Sequence, residues 1–544
     1  MMRLRLPLAG LGLALLTSAL SAAEPQPLVP VLPGPAAIQF NEEAAVQRLT
    51  AAIDQLMDDF WKRNDIKPSD PTTDAEFLRR ISLDLAGRIP HAAELRAFLA
   101  DKNPHKRAKK IDELLGRAGF VSHFSGVLRR DWVPQAAEDP RLQFAGIQFE
   151  NWLVGRVRAN TALDDLVRDM LTAPTLFARN APQVERFDLN SASPMAFNQV
   201  NEFKPENVAA AASRLFMGVK LECAQCHDHP FAPYKRDLFW EQAAFFAEVQ
   251  PAVANASDVT FKRRIRIPDT TKTVQAKFFN GSDPDWRDGE SPRQTFVRWL
   301  TGAENPYFAR NAANRMWAYF FGLGFIDPVD EPSDDNQATV PEVLDTLARA
   351  FTESRYDLKL LMRAITRSKA YQLSSRLTDP SQGESRTFAR MNVKGLSAEQ
   401  LFDSLAMATG YRDPTPQNQR RFNGFGGGGV RGEFLVKFAS TEKRTERQTS
   451  ILQALTLMNG RFINDQTSLD RSETLAAIAD YPFPSTEQRV EALFLTALSR
   501  PPTPEELQKF ASYVERGGAA SDRKKALADV FWSLLNTSEF ILNH

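Results

Sequence analysis

Apolar residues recur every three or four positions along most of this 544-residue chain, and this spacing constrains the fold more than any other feature. A stretch near the start of the pattern, residues 46–63, is typical. Its apolar residues fall on one face of a helix: Val46, Leu49, Ile53, Leu56, Met57 and Phe60. Helices of this kind must bury their apolar faces against one another, so the sequence predicts a mainly α, multi-helix protein.

Residues that favour helix ends stand beside these periodic stretches. Thr73 or Asp74 can cap the start of the next helix, and Gly87 lies near its end. Pro205 occupies a first-turn position in a helix that we expect to continue to a pair of cysteines, Cys223 and Cys226.

One stretch has the alternation of a strand. Residues 259–279 alternate apolar and polar side chains around a central PDTTK, which predicts a small β-hairpin. A polar break follows, and we expect a domain boundary near residue 285. The predicted order is a signal peptide (1–23), a Pro-rich linker (24–44), a helical domain containing the cysteines (45–250), a hairpin and linker (251–290) and a second helical domain (291–544).

The first 23 residues have the layout of an export signal. Arg3 and Arg5 precede a short apolar run, and small residues, Ser21 and Ala23, precede the expected cleavage site. We therefore expect a periplasmic, secreted or cell-surface protein; the alternative is that the segment is retained as an N-terminal anchor. No later segment approaches the ~20 apolar residues of a membrane span.

Charge and cysteine content exclude several classes of protein. The 67 basic residues balance the 67 acidic ones, which argues against a nucleic-acid partner. Two cysteines cannot build a disulfide framework in an exported chain of this length. The cysteines are therefore expected to serve chemistry.

Both cysteines lie in one motif, Cys223-Ala-Gln-Cys226-His227. Two thiols three positions apart can form thioethers with one porphyrin, and the adjacent histidine can then ligate the iron. This spacing predicts a covalently attached haem c, with His227 as the proximal iron ligand.

Two other interpretations of the motif remain open. Cys223, Cys226, His227 and His229 could together hold zinc or copper, although adjacent Cys226 and His227 would strain to close around one small ion. Cys223 and Cys226 could instead form a disulfide. With a haem in place, His229 would be a polar neighbour of the haem edge or an ordinary turn residue.

Aromatic residues follow the motif closely, and they could line a macrocycle or form ordinary core: Phe231, Tyr234, Phe239, Trp240, Phe245 and Phe246. A sixth iron ligand is not evident among the other histidines and the methionines. With no side chain in that position, an enzyme or a sensor would be expected; with one, an electron carrier that works with a redox partner protein.

An acidic stretch, DPVDEPSDDN, contains Asp327, Asp330 and Glu331. Clustered carboxylates can bind calcium, act as an acid/base pair or contact a carbohydrate, or they can simply be solvated. The spacing does not match an EF-hand loop.

Several stretches resemble a known family. FKPENVAAAASRLFMGVKLECAQCHDHPFAPYKRDLFWEQAAFF and FLRRISLDLAGRIPHAAELRAFLADKNPHKRAKKIDELL resemble the planctomycete cytochrome-like domain of unknown function 1549. NPYFARNAANRMWAYFFGLGFIDPVDEP and ALFLTALSRPPTPEEL resemble its usual C-terminal partner, planctomycete domain of unknown function 1553. The resemblance implies an exported, mainly helical protein with a haem on Cys223, Cys226 and His227, and a link to surface carbohydrate metabolism.

Overall fold

The computed structural model describes residues 42–174, 191–228, 234–249, 262–331, 336–412, 429–438 and 457–544. These residues form 23 α-helices, which confirms the mainly α prediction. The predicted signal peptide lies outside the described residues, as do residues 24–41 of the predicted linker; the first helix begins at Glu42.

The first half of the chain contains eleven helices in the described residues: α1 Glu42–Arg63, α2 Asp74–Ala86, α3 Ala92–Ala100, α4 Lys106–Gly116, α5 Ala118–Trp132, α6 Gln135–Glu138, α7 Gln143–Arg158, α8 Leu163–Leu171, α9 Ala196–Val200, α10 Pro205–Ala212 and α11 Arg236–Ala243. The second half contains twelve: α12 Pro292–Leu300, α13 Phe308–Phe321, α14 Pro341–Glu353, α15 Leu358–Arg367, α16 Ala398–Thr409, α17 Val430–Phe438, α18 Arg461–Gln466, α19 Glu473–Asp480, α20 Thr486–Ala497, α21 Pro504–Glu515, α22 Arg523–Leu535 and α23 Ser538–Ile541.

Helix α2 begins and ends where the sequence indicates. The Thr73 hydroxyl accepts the backbone N–H of Glu76 at 3.2 Å and caps α2, and Gly87 ends that helix with a φ of 71°. Local signals therefore set these boundaries. The buried face of α1 is the predicted one, extended by Trp61: Val46, Leu49, Ile53, Met57 and Trp61.

The two β-sheets in the described residues are small. Strand β1 (Arg264–Arg266) pairs antiparallel with β2 (Thr273–Gln275) across the PDTTK turn, as the sequence predicts, although the strands are shorter than expected. Residues 259–261 of that predicted hairpin lie outside the described residues. A second pair, β3 (Lys394–Gly395) with β4 (Leu542–Asn543), joins distant parts of the second half and was not predicted.

Two hydrophobic clusters form the core of residues 42–544. The larger one contains side chains from both halves of the chain, such as Trp240 with Trp317. The smaller one belongs mainly to α16–α22 but also takes in Leu83 from the first half. Each hydrophobic cluster therefore contains residues from both sides of the predicted boundary near residue 285.

Helices of the first half pack directly on the second half. Helix α1 lies against α14 and α15, α4 lies against α15, α3 lies against α20, and α2 contacts β4. Residues 42–544 accordingly form one compact unit. Within the described part of the chain, no helix has the length and apolarity needed to cross a membrane.

Candidate functional site

The segment that leads to the two cysteines turns sharply at a glycine. Helix α10 ends at Ala212, and a π-helical turn, Ser213–Met217, carries the chain to Gly218. Gly218 has a φ of 68°, and a Cβ added there would lie 2.6 Å from the Asn311 Oδ1. Only glycine fits both conditions. The prediction that the helix continues to the motif is therefore wrong, because the helical path ends where the chain must pass Asn311.

The motif itself lies on a separate short turn. Residues Glu222–Gln225 form a 3₁₀ turn, followed directly by Cys226. Cys223 lies within this turn, and Cys226 follows it with a φ of −99° and a ψ of −39°. Both thiols are free and exposed, whereas Ala224 between them is buried and anchors the turn to the core.

His227 is also exposed, and one of its ring nitrogens has a partner. The Nδ1 lies 2.7 Å from the backbone oxygen of Asp228. A carbonyl oxygen can only accept, so Nδ1 carries the proton in this hydrogen bond, and a neutral ring then keeps a lone pair on Nε2. This is the arrangement in which a histidine ligates a metal through Nε2.

Helix α11 holds the turn in place from the other side. The Trp240 indole N–H donates to the backbone oxygen of Gln225 at 3.0 Å, and the Arg236 Nε donates to the same oxygen at 3.3 Å. The Asp228 carboxylate accepts the backbone N–H of Arg236 at 2.9 Å. These supporting roles were not predicted; the signal in the sequence is the four-residue spacing of Arg236 and Trp240, which places them on one face of α11.

The aromatic residues after the motif form ordinary core where they are described. Phe239, Trp240, Phe245 and Phe246 are buried, and Tyr234 packs against Phe279 with ring centroids 5.2 Å apart. Phe231 lies outside the described residues.

The structure leaves the alternative interpretations of the motif as predictions. His229 lies outside the described residues, so its position relative to the thiols is not described. Among the residues that are described, no three His, Cys, Asp or Glu side chains gather closely enough to hold a metal ion. The disulfide is not formed in the structure, where both thiols are free.

The acidic stretch contacts the segment that precedes the motif. The backbone N–H of Lys220 donates to the backbone oxygen of Asp330 at 3.0 Å, and the Lys220 ammonium pairs with Glu331 at 2.9 Å. Asp327 and Asp330 line a nearby cavity. Two sites that the sequence treats separately are therefore neighbours in the fold, joined through Lys220.

Four other histidines occupy described positions, and two of them make side-chain hydrogen bonds within the fold. His91 caps α3 by accepting a backbone N–H of its first turn, and the His123 Nε2 lies 2.9 Å from the Tyr319 hydroxyl. His105 precedes α4, and burial lowers the pKa of His544.

The fold and the motif together define a mainly helical protein with a CxxCH sequence on an exposed turn. Two family models match this chain: PSCyt2, a protein of unknown function (DUF1549), over residues 52–251, and PSD1, a protein of unknown function (DUF1553), over residues 292–423 and 435–514. The chain belongs to the proteins that carry a PSCyt2 domain followed by a PSD1 domain, which confirms the resemblance and its order. No curated protein and no solved structure matches it.

Proposed function

We propose that this protein is an exported c-type haem protein that exchanges electrons with a redox partner protein, alone or as the haem-bearing part of a periplasmic or cell-surface oxidoreductase. The observation that carries the proposal is a pair of free, exposed thiols within and directly after a short turn, followed by an exposed histidine whose Nδ1 bonds a backbone carbonyl. The name of the matched domain, PSCyt2, suggests a cytochrome-like domain and so agrees with this proposal.

The donor set fits covalent haem attachment. Each thiol S–H can add across a porphyrin vinyl group, so that both cysteines become thioethers without loss of a leaving group. His227 would offer Nε2 to the iron, since Nδ1 is engaged with Asp228. A haem bound in this way supplies one-electron oxidation and reduction.

The protein would contribute a fixed position for the two thiols and access to them from the surface. Trp240 and Arg236 fix the carbonyl of Gln225, so the turn that carries the thiols is held against α11. Cys223, Cys226 and His227 are exposed, which leaves them open to a partner protein at the surface. An attached group would therefore be reachable from outside the protein.

The deciding experiment is a pyridine haemochrome spectrum on protein made with a haem-maturation system. We expect one covalent haem per chain, retained on a denaturing gel. Cys223→Ser and Cys226→Ser together should abolish covalent attachment, because no thiol then remains to form a thioether.

Two controls separate this effect from a general disturbance of the segment. Glu222→Gln changes a side chain on the same turn and should retain the haem. Ser213→Ala changes a buried residue that precedes the turn and leaves both thiols in place. This variant should retain the haem as well.

Two results would contradict the proposal. One is the absence of covalent haem with two thiols that titrate as free. The other is the finding of stoichiometric zinc or copper by elemental analysis. If both Cys226→Ser and His229→Ala abolish this metal binding, the metal interpretation is favoured instead. If haem is present, carbon monoxide binding to the reduced protein shows whether the sixth position is open.

A further inference from the structure

A cavity of about 460 Å³ lies beside the turn formed by Asp327–Asp330 and between helices α5 and α13. Its volume falls within the range of about 300–1,000 Å³ that is typical of sites for small molecules. Neither the family descriptions nor the motif assigns a ligand to it.

Most of the cavity wall is apolar and aromatic. Trp132 and Phe216 meet edge to face with centroids 5.4 Å apart, and Phe124 meets Tyr319 at 6.2 Å. Phe308 is buried in the same wall. Such a surface favours the apolar body of a ligand, and it offers few partners for the many hydroxyl groups of a sugar.

The polar part of the wall carries more negative than positive charge. Its charged residues are Asp131, Asp327 and Asp330 with a single cation, Arg315. The lining therefore has an excess of two negative charges.

Arg315 is already engaged by the protein. Its guanidinium donates to the Asn311 Oδ1 at 3.2 Å and to the backbone oxygen of Arg214 at 2.7 Å, and it lies 3.6 Å from the Asp131 carboxylate. It is therefore held in the wall and does not offer a free cation to an anionic ligand.

The carboxylates do not form a metal site. In the described part of the chain, no three acidic, histidine or cysteine side chains converge on one point. A cation that lies near a carboxylate of this wall and also fills an apolar chamber must itself be mostly apolar.

We propose that this cavity binds a small organic ammonium ion, with its apolar body against the aromatic wall and its charged nitrogen toward Asp330. This site goes beyond the proposed haem function and does not depend on it. The two are nevertheless close along the chain: Lys220, bonded to the Asp330 carbonyl, is three residues from Cys223. The Cα atoms of Lys220 and Cys223 are at most about 11 Å apart.

The test is calorimetric titration of the full chain with three ligands of similar shape: 2-phenylethylammonium, 2-phenylethanol and 3-phenylpropanoate. We expect the ammonium ion to bind about tenfold more tightly than the alcohol, and the carboxylate most weakly, because the cavity carries excess negative charge. Asp330→Asn should reduce the preference for the ammonium ion and leave the affinity for the alcohol unchanged.

Two further variants complete the test. Asp283→Asn removes an exposed carboxylate outside the cavity and should leave all three affinities unchanged. Ala312→Leu, which enlarges a side chain of the cavity wall, should weaken the binding of every ligand; circular dichroism shows whether it folds.

Several outcomes would overturn the proposal. They are equal affinity for the three ligands, tightest binding of the carboxylate, an ammonium affinity that Asp330→Asn does not change, or no detectable binding of the ammonium ion. Tight binding of glucose in place of the ammonium ion would assign the cavity to carbohydrate. If Ala312→Leu does not fold, the comparison of Asp330→Asn with Asp283→Asn still decides the question.

Discussion

The carbonyl oxygen of Gln225 has two side-chain donors, and both come from α11. Trp240 supplies one through its indole N–H and Arg236 supplies the other through Nε. The oxygen belongs to the residue between the two cysteines that directly precedes Cys226, so its position sets the direction of the second thiol. The position of the Cys226 backbone thus depends on residues that are ten or more positions away in the sequence.

Trp240→Phe should test this contact. The change keeps a buried ring but removes the indole donor, so we expect the free energy of unfolding to fall by about 1 kcal/mol for the lost hydrogen bond, in addition to the loss of packing. Urea unfolding measures the sum of both effects.

A second tryptophan provides the matched control. Trp317 is equally buried, and its indole N–H has no hydrogen-bond partner in the described part of the protein. Trp317→Phe therefore reports the exchange of the rings without the loss of a hydrogen bond. Equal destabilisation by the two substitutions would show that the bond to Gln225 contributes nothing.

At the scale of elements, the start of α16 is a charged junction between the two halves. Glu399 in its first turn pairs with Arg130 of α5 at 3.0 Å, and Arg431 of α17 pairs with Asp403 at 3.3 Å. Burial alone would raise the pKa of Glu399, but Arg130, the residue's own backbone N–H and two further arginines lower it to about 2. Burial also raises the pKa of Asp403, which makes its charged form less favourable.

This depressed pKa predicts an acid-dependent stability. Glu399 has an ordinary pKa of 4.5, so its stabilising contribution is complete above that pH and is lost as the pH falls toward about 2. Urea unfolding between about pH 5 and pH 2.5 should show a declining free energy, and Glu399→Gln should flatten this decline. Glu505→Gln, on the exposed start of α21, is the control; an identical decline in wild type and Glu399→Gln would contradict the prediction.

The sequence predicts elements whose signals are local. The cap at Thr73, the stop at Gly87 and the PDTTK turn are each set by residues within a few positions, and each forms as expected. The β3–β4 pair gave no such signal, because two-residue strands about 150 positions apart have no periodicity to detect.

The candidate site divides in the same way. The spacing of Cys223, Cys226 and His227 can be recognised in the sequence alone. The structure places all three residues on the exposed surface of one segment. The close approach of Gly218 to Asn311 ends the helix early, and no local pattern shows it. Contacts between distant segments likewise depend on the whole fold.

At the scale of the whole molecule, buried polar groups on α2 join the two halves. Arg79 donates to the backbone oxygens of Ala497 and Phe540, at 3.3 Å and 2.8 Å. These carbonyls belong to α20 and α23, more than 400 positions away in the sequence. The guanidinium therefore holds together segments from opposite ends of the chain.

Asp84 of the same helix is the centre of a second buried polar group. Its carboxylate lies 3.1 Å from the Lys394 ammonium, and the Tyr371 hydroxyl donates to it at 2.9 Å. Burial, followed by the neighbouring Asp84 charge, raises the pKa of Tyr371 well above its usual value. The phenol therefore stays protonated and remains a donor.

The Asp84–Lys394 pair should be costly to break on one side only. Both side chains are fully buried, so Lys394→Met leaves an unpaired carboxylate in the core and should lower the stability by about 3–5 kcal/mol. Adding Asp84→Asn should restore part of the loss, since the unpaired charge disappears. Chemical denaturation of the two single variants and the double variant measures the coupling; additive losses would show that the pair is not coupled.

The shared core leads to a prediction for the whole chain. Helix α1 packs on α14 and α15, and Trp61 donates its indole N–H to the backbone oxygen of Thr387 at 2.8 Å. A fragment ending at residue 250 would expose those surfaces and leave Arg79 without its carbonyl partners.

We therefore expect residues 42–544 to unfold in one cooperative transition. Fragments 42–250 and 251–544 should each fail to fold alone but should assemble when they are produced together. Differential scanning calorimetry of the full chain and far-UV circular dichroism of the fragments test this. Two separate transitions, or a fragment with native helix content by itself, would show that each half is an independent folding unit.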